Sequence, residues 1–226
     1  MIRAAIFDLD GTLLDTEILW VDATHAYLLA QGKQASYADV LRIVYGRSWR
    51  QVYADIVSDF DLGHISMHAM DDELHDMIKV EKARRDDLVL EGSVRLLREL
   101  SALMPVCIVS GSPRKAIADA VEMLQIGNCL AFVIGAEEYH MGKPDPTCFQ
   151  MAIQRLNVPA AACVVFEDSS AGVKAAKAAG AYCVALARPS RPPQDVRAAD
   201  LVLEDLGTFD LATLAPLSSE GILQCQ

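Results

Sequence analysis

Short apolar runs alternate with amphipathic stretches along the chain, most regularly from residue 90 onwards. The apolar runs have the pattern of buried strands, and the stretches between them have the spacing of amphipathic helices. The predicted strands are Ala4 to Phe7, Val106 to Val109, Phe132 to Ile134, Cys163 to Phe166, Cys183 to Leu186 and Leu201 to Leu203. Strand, loop and helix in repetition predict a parallel sheet covered by helices on both faces.

Proline and glycine positions mark the ends of several predicted helices. Ser112-Pro113 and Asp145-Pro146 each place a capping residue before a proline that suits the first helical turn. Gly180 follows an Ala-rich stretch, where the end of a helix needs a left-handed residue. In parallel sheets ligands bind at the carboxyl ends of the strands, so polar residues directly after each strand are candidates for chemistry.

The stretch from about Glu17 to Arg85 lacks a strong strand signal and has apolar residues at helical spacing instead. These residues are Leu19, Trp20, Ala23, Tyr27, Val52, Ile56, Val57 and Phe60. The pattern predicts a helical insertion after the first strand. We expect residues 1–16 and 88–226 to form the main domain and residues 17–87 to form the insertion.

Composition and charge narrow the class of protein. The chain has 226 residues, of which 52% are hydrophobic and 23% charged, as in an ordinary globular protein with a large core. Its formal net charge of −11 would repel nucleic acid and anionic membranes, because both need basic patches for binding. We therefore expect neither a nucleic-acid partner nor a membrane partner, and we expect a monomer.

The cysteines are scattered, without a C-x-x-C pair or a Cys/His cluster. This arrangement favours buried free thiols in a reducing compartment over a disulfide or zinc framework. The sequence reaches an Asp-rich segment within its first residues, unlike a secretory signal, and no apolar run has membrane-spanning length. These features predict a cytoplasmic enzyme.

Asp8 and Asp10 follow the first predicted strand in the segment Phe7-Asp8-Leu9-Asp10-Gly11. Carboxylates at positions i and i+2 of an extended segment point to the same side, so both would face one cavity. Close carboxylates repel each other unless a cation lies between them or one is protonated. Either case suits catalysis, with one carboxylate as nucleophile and the other holding a proton. An Asp-rich turn that merely ends a strand explains the pair equally well.

Two further segments add groups that bind anions. Ser110 and Gly111 lie where a strand runs into a helix start, and a hydroxyl with backbone N–H groups there makes a phosphate cradle. Lys143 lies in a tight turn before Pro144, where it could neutralise a phosphoryl oxygen and hold an aspartate. The alternatives are a routine loop and an exposed surface lysine.

Glu167 and Asp168 follow the strand Cys163 to Phe166. Carboxylates in this position suit Mg²⁺, which prefers oxygen ligands. The alternative is an acidic helix N-terminus with Asp168 or Ser169 as its cap. Each segment alone has such an alternative. Their joint occurrence after successive strands of one sheet is explained better by a phosphoryl-transfer site.

With these motifs the chain resembles the haloacid dehalogenase-like (HAD) hydrolase superfamily. It is most similar to the branch that holds β-phosphoglucomutase and small sugar-phosphate phosphatases of the 6-phosphogluconate phosphatase type. The D-x-D-G-T segment carries most of the resemblance, and the order of the other three motifs agrees. The resemblance implies an α/β fold, with a Rossmann-like three-layer core and a small α-helical cap domain after the first strand.

The resemblance also implies residue roles. Asp8 would be the nucleophile that forms an aspartyl-phosphate, and Asp10 the general acid and base. Lys143 would be catalytic, and Ser110 with Gly111 would bind the phosphoryl group. Mg²⁺ would be the cofactor, held by Asp8, Asp168 and the backbone carbonyl of Asp10, with Glu167 nearby or acting through water.

Substrate choice would lie in the cap. The segment from Tyr45 to Arg50 falls where relatives place a substrate loop, and Arg47 or Arg50 would read the non-transferring end of a phosphorylated sugar or sugar acid. Exposed arginines on an amphipathic helix are the alternative. Mutase relatives have a cap histidine shortly after the first motif, where this chain has Ile18-Leu19-Trp20, and this difference favours a phosphatase over a phosphosugar mutase. A non-catalytic phospho-ligand binding protein is the third hypothesis, disfavoured because a binder needs no pair of aspartates.

Overall fold

The computed structural model describes residues 1–47, 49–82, 85, 87–210 and 212. The chain divides into two compact units, which we call the core unit (Met1–Leu14 with Val89–Gln226) and the helical unit (Asp15–Leu88). None of the helices within the described ranges is long and apolar enough to cross a membrane.

The core unit is built on a six-stranded parallel sheet. Its strands are β1 (Ala4–Phe7), β2 (Val106–Val109), β3 (Phe132–Ile134), β4 (Cys163–Glu167), β5 (Tyr182–Leu186) and β6 (Leu201–Leu203), in the order β3-β2-β1-β4-β5-β6. The predicted strands and the α/β class are confirmed, with bounds that agree to one residue. This strand order places β1 between β2 and β4, so the residues after β1 lie at the middle of the sheet's carboxyl edge.

Helices α5 (Glu91–Ser101), α6 (Arg114–Leu124), α7 (Thr147–Leu156) and α8 (Ser170–Ala178) cover the sheet. Alternate residues of β1 point to opposite faces: Phe7 packs in one hydrophobic cluster with α5 and α6, and Ile6 packs in a second with α7 and α8. Three layers result, because β1, β2 and β4 are apolar and buried on both faces. Gly180 has φ +83° just after α8, as its predicted role at the helix end requires.

The two predicted capping residues behave differently from each other. Asp145 accepts a hydrogen bond from the backbone N–H of Thr147 (2.9 Å), the first residue of α7. The prediction that Ser112 caps α6 is wrong, because α6 begins after Pro113 without a side-chain cap. The Ser112 hydroxyl is instead bonded to Asp10, far away in sequence.

The helical unit contains α1 (Glu17–Ala30), α2 (Tyr37–Val44), α3 (Trp49–Phe60) and α4 (Met67–Lys82), which confirms the predicted helical insertion after β1. Its hydrophobic core includes Tyr27, Ile56 and Leu74, contributed by three of these helices. Ser36 begins α2 as a true cap, since its hydroxyl oxygen accepts from the backbone N–H of Asp39 (3.1 Å).

Candidate active site

Asp8 lies at the carboxyl end of the central strand β1, where the sheet fixes its backbone. Its N–H donates to the carbonyl of Phe166 (2.9 Å), which extends the pairing of β1 and β4 by one residue. The rings of Phe7 and Phe166 stack at 4.5 Å beneath it. Asp8 itself is buried, so its carboxylate is held in a region with little access to solvent.

Lys143 meets Asp8 from the loop before α7. Its ammonium group pairs with Asp8 Oδ1 in a very short contact, with Glu167 Oε1 at 2.6 Å, and with the carbonyl of Val109 at 3.3 Å. It also lies 5.0 Å from the ring centre of Phe149. The side chain is only 11% exposed, so the surface-lysine alternative does not describe this residue.

Charge and burial oppose each other at this lysine. Burial alone would lower the pKa of Lys143, but the charges of Asp8 and Glu167 outweigh it and raise that pKa well above its ordinary value. For Asp8, burial raises the pKa, Lys143 counteracts it, and the nearby carboxylate of Glu167 raises it further. A second cation beside Asp8 would therefore favour its ionised form.

Such a cation has a suitable set of oxygens. One carboxylate oxygen each from Asp8, Glu167 and Asp168 lie within 4.8 Å of one another, and all three residues are buried. These three negative charges face one lysine in the same buried region, so a divalent cation would complete their neutralisation. Hard oxygen ligands fit Mg²⁺, which takes few protein carboxylates and completes its shell with water and phosphate oxygens.

Glu167 and Asp168 both accept hydrogen bonds from groups close to the cluster. The Oε1 atom of Glu167 pairs with Lys143, and its Oε2 atom accepts from the N–H groups of Asp168 and Ser169 and from the Ser169 hydroxyl, each at 3.0 Å. Asp168 accepts from the Thr12 hydroxyl at 3.2 Å. Glu167 is therefore arranged to hold Lys143, and it also contributes an oxygen to the carboxylate cluster with Asp8 and Asp168.

Two glycines permit these close approaches. A Cβ on Gly172, in the first turn of α8, would lie 1.8 Å from Glu167 Oε1. A Cβ on Gly11 would lie 2.2 Å from Asp168 Oδ2, and Gly11 also has φ +93°. The turn after β1 and the start of α8 thus pack directly against the acidic side chains, which only residues without a Cβ allow.

Asp10 points towards the β2–α6 loop and is not among the three side chains of the carboxylate cluster. Its Oδ2 atom accepts hydrogen bonds from the hydroxyls of Ser110 (3.0 Å) and Ser112 (2.6 Å). Sequence reasoning missed Ser112 as a site residue, because a serine before a proline also fits a helix cap. Its spacing of two residues from Ser110 was the available signal.

Ser110 and Gly111 lie together at the end of β2. Ser110 is fully buried, its N–H donates to the carbonyl of Ile134 (3.1 Å), and its carbonyl accepts from the Tyr139 hydroxyl (2.9 Å). A Cβ on Gly111 would meet no atom within 4 Å, so the space beside it is open. A fixed hydroxyl next to open space is the geometry that a phosphate cradle needs.

The predicted substrate arginines lie in the helical unit. The guanidinium of Arg47 pairs with Asp55 at 2.6 Å, and Arg50 is an exposed residue in the first turn of α3. Ser48, between them, lies outside the described residues. The segment is tied to α1 because the N–H of Gly46 donates to Glu17 Oε2 (3.0 Å).

Known proteins resemble this chain in sequence and in fold. It is 34% identical over 211 residues to validoxylamine A 7'-phosphate phosphatase of Streptomyces hygroscopicus subsp. limoneus, covering 91% of this chain and 95% of that protein. It is 28% identical over 182 residues to a phosphorylated carbohydrates phosphatase of Thermotoga maritima, covering 79% and 82%.

Among solved structures, a HAD family hydrolase from Deinococcus radiodurans R1, with bound phosphate and sodium, superposes with a TM-score of 0.77 at 24% identity. The match covers 96% of each chain. The resemblance inferred from the motifs is confirmed: a family model for haloacid dehalogenase-like hydrolases matches residues 2–180, and the chain belongs to that family.

Proposed function

We propose that this chain is a phosphatase that hydrolyses the phosphate monoester of a small metabolite, a sugar phosphate or phosphorylated sugar acid, through an aspartyl-phosphate on Asp8. The observation that carries the proposal is the buried pairing of Asp8 with Lys143 inside a cluster of carboxylates, with Asp10 beside the hydroxyls of Ser110 and Ser112. A nucleophile, a charge clamp, an acid and phosphate donors thereby meet at one edge of the sheet.

In the first step a carboxylate oxygen of Asp8 attacks phosphorus, and the bond from phosphorus to the ester oxygen breaks. Asp10 gives its proton to that oxygen, so that an alcohol leaves. Lys143 holds Asp8 in place and offsets negative charge on the phosphoryl oxygens, while Ser110 and the N–H of Gly111 bind them.

In the second step water attacks the phosphorus of the aspartyl-phosphate. Asp10, now ionised, accepts the proton of the water, and inorganic phosphate leaves as Asp8 is regenerated. Asp8 and Asp168 would hold Mg²⁺, with the backbone carbonyl of Asp10, while Glu167 keeps Lys143 in position. Bound Mg²⁺ supplies charge neutralisation for phosphoryl transfer.

The substrate class draws on two relatives whose names state phosphorylated carbohydrates or a 7'-phosphate as substrates. On this proposal Arg47 or Arg50 contacts the end of the substrate away from the transferred phosphate. We expect Arg50→Ala and Arg47→Ala to change the ratios of kcat/KM across a panel of sugar phosphates. Equal kcat/KM ratios in the wild type and both variants would show that neither arginine contributes to substrate selection.

The function is tested by phosphate release from a panel of phosphorylated metabolites and p-nitrophenyl phosphate, with Mg²⁺ or with a chelator. We expect Mg²⁺-dependent release that Asp8→Asn abolishes, since an amide is too poor a nucleophile to form the intermediate. A phosphosugar mutase would instead return phosphate to the sugar, so the products are also analysed for sugar isomers. Steady-state isomer formation without phosphate release would contradict the proposal.

A further inference from the structure

We propose that Ser112 is a positioning residue, which fixes the carboxylate of Asp10 for proton transfer to the leaving group. This inference rests on the proposed function, in which Asp10 is the acid of the first step. Ser112 lies outside the sheet, in the loop between β2 and α6, two residues before the helix begins.

The bonds between Asp10, Ser110 and Ser112 connect all three residues. The hydroxyls of Ser110 and Ser112 both donate to Asp10 Oδ2, and the backbone N–H of Ser112 donates to the Ser110 oxygen at 2.9 Å. Of the two bonds to Asp10, that from Ser112 is shorter, at 2.6 Å against 3.0 Å. Because Oδ2 accepts two hydroxyl hydrogens, a proton on this carboxyl group would be carried by Oδ1.

The two serines differ in what else their hydroxyls must do. Ser110 is the proposed phosphate ligand, so a bound phosphoryl group competes with Asp10 for its single hydroxyl hydrogen. Ser112 then remains as the donor that holds Oδ2 while the reaction proceeds. A small misplacement of a catalytic group lowers rate severely, which makes this one hydroxyl important to the acid.

The loop conformation does not depend on the Ser112 hydroxyl. Its backbone N–H is bonded to Ser110 Oγ, and its carbonyl accepts from the N–H of Ala136 at 3.0 Å. Ser112→Ala therefore removes the bond to Asp10 and leaves both backbone anchors of residue 112 in place. The variant separates the positioning of the acid from the folding of the loop.

The contribution of a general acid is measured by how strongly the rate depends on the basicity of the leaving group. p-Nitrophenolate leaves readily without a proton, whereas phenolate is more basic and gains more from protonation. The two phosphate esters have similar shapes, so they should bind alike. The value of kcat/KM reports the attack by Asp8, even if hydrolysis of the aspartyl-phosphate limits turnover. We expect Ser112→Ala to lower kcat/KM for phenyl phosphate about tenfold more than for p-nitrophenyl phosphate.

Three comparisons accompany this measurement. Ser112→Thr restores the hydroxyl and should restore the ratio of the two kcat/KM values. Ser112→Ala should cause no additional loss in an Asp10→Asn background, since the acid is already absent. Ser101→Ala removes a hydroxyl bonded to the Arg98 carbonyl (2.8 Å) on the surface of α5, and should leave both values unchanged.

Unequal loss, rescue by threonine and absence of further loss with Asp10→Asn together support the inference. Equal loss on both esters, or additive loss in the Asp10→Asn background, would overturn it while wild-type hydrolysis still supports the proposed function. A wild-type protein that hydrolyses neither ester with Mg²⁺ would overturn the function and, with it, the inference. If the melting temperature of Ser112→Ala falls, Ser112→Cys, a somewhat larger side chain with a weaker donor, is measured as well. Unequal loss on the two esters at an unchanged melting temperature supports the inference, and equal loss overturns it.

Discussion

At the scale of single residues, one ammonium group holds two carboxylates together in a buried region. Lys143 pairs with both Asp8 and Glu167, and none of the three side chains is more than 11% exposed. Removing one partner of a buried ion pair lowers the free energy of unfolding far more than removing one partner of an exposed pair. The reason is that the remaining buried charge is left uncompensated. Lys143 therefore stabilises the fold, in addition to its role in the proposed reaction.

Lys143→Met tests this double role, since it keeps the length of the side chain and removes the charge. We expect the free energy of unfolding, measured with a chelator present, to fall by about 3–5 kcal/mol. Phosphatase activity should fall at least about 100-fold with the loss of transition-state charge stabilisation. Lys115→Met is the matched control: Lys115 pairs with Asp119 in an 86% exposed position, and this change should cost less than about 1 kcal/mol. Equal destabilisation by the two changes would show that the buried pair does not contribute as described.

The four acidic candidates, Asp8, Asp10, Glu167 and Asp168, could be selected from the sequence, because they lie at or just after the ends of recognisable apolar strands. The burial of Lys143 could not be predicted, since it depends on Asp8 and Glu167, which the chain brings together from distant positions. Ser112 was misassigned for the same reason. A local pattern, serine before proline, was consistent with a cap, while its actual partner lies 102 residues away in sequence.

At the scale of elements, the turn from β4 into α8 determines where Glu167 lies. The N–H groups of Asp168 and Ser169 hold Glu167 Oε2, and Ser169 caps α8 by accepting from the N–H of Gly172 (3.0 Å). The strand bounds could be predicted to within a residue, because continuous apolar runs mark them. The closeness of α8 to Glu167 could not, because it depends on a glycine whose role is visible only in three dimensions.

Gly172→Ala should displace Glu167, because an added methyl group would overlap its carboxylate. We expect the free energy of unfolding to fall by about 1–3 kcal/mol, and activity to fall with it, as Lys143 loses its second anchor. Gly127→Ala is the control, since its Cβ would lie 3.7 Å from Val121, an ordinary contact. Unchanged stability and activity in Gly172→Ala would mean that the turn adapts and does not fix Glu167.

At the scale of the whole molecule, the sheet buries most of the described cysteines. Cys107, Cys148, Cys163 and Cys183 are buried and Cys129 is partly exposed, and all five are free thiols. Burial, which was predicted for most of these thiols, is found for four of the five, and Cys225 lies outside the described residues.

The reactivity of these thiols reports the integrity of the core. Burial raises the pKa of Cys183 to about 12 and that of Cys163 to about 11, and it also raises the pKa values of Cys107 and Cys148. The reactive thiolate is therefore scarce below pH 9, and access is closed as well. At pH 8 we expect iodoacetamide to leave these four unmodified in the native protein and to modify them in denaturant, as judged by peptide mass spectrometry. Rapid native modification of Cys163 or Cys183 would contradict the packing of β4 and β5.

The central claim is that phosphate passes through Asp8, and it is tested most directly by trapping the phosphorylated enzyme. Asp10→Asn protein is mixed with p-nitrophenyl phosphate and Mg²⁺, quenched in acid within the first turnovers, and mapped by mass spectrometry. Without Asp10 to activate water, the phosphoryl group should accumulate on the peptide that contains Asp8, with a matching burst of p-nitrophenol. A phosphoryl group on another residue, or turnover without any phosphorylated peptide in both this variant and the wild type, would contradict the account.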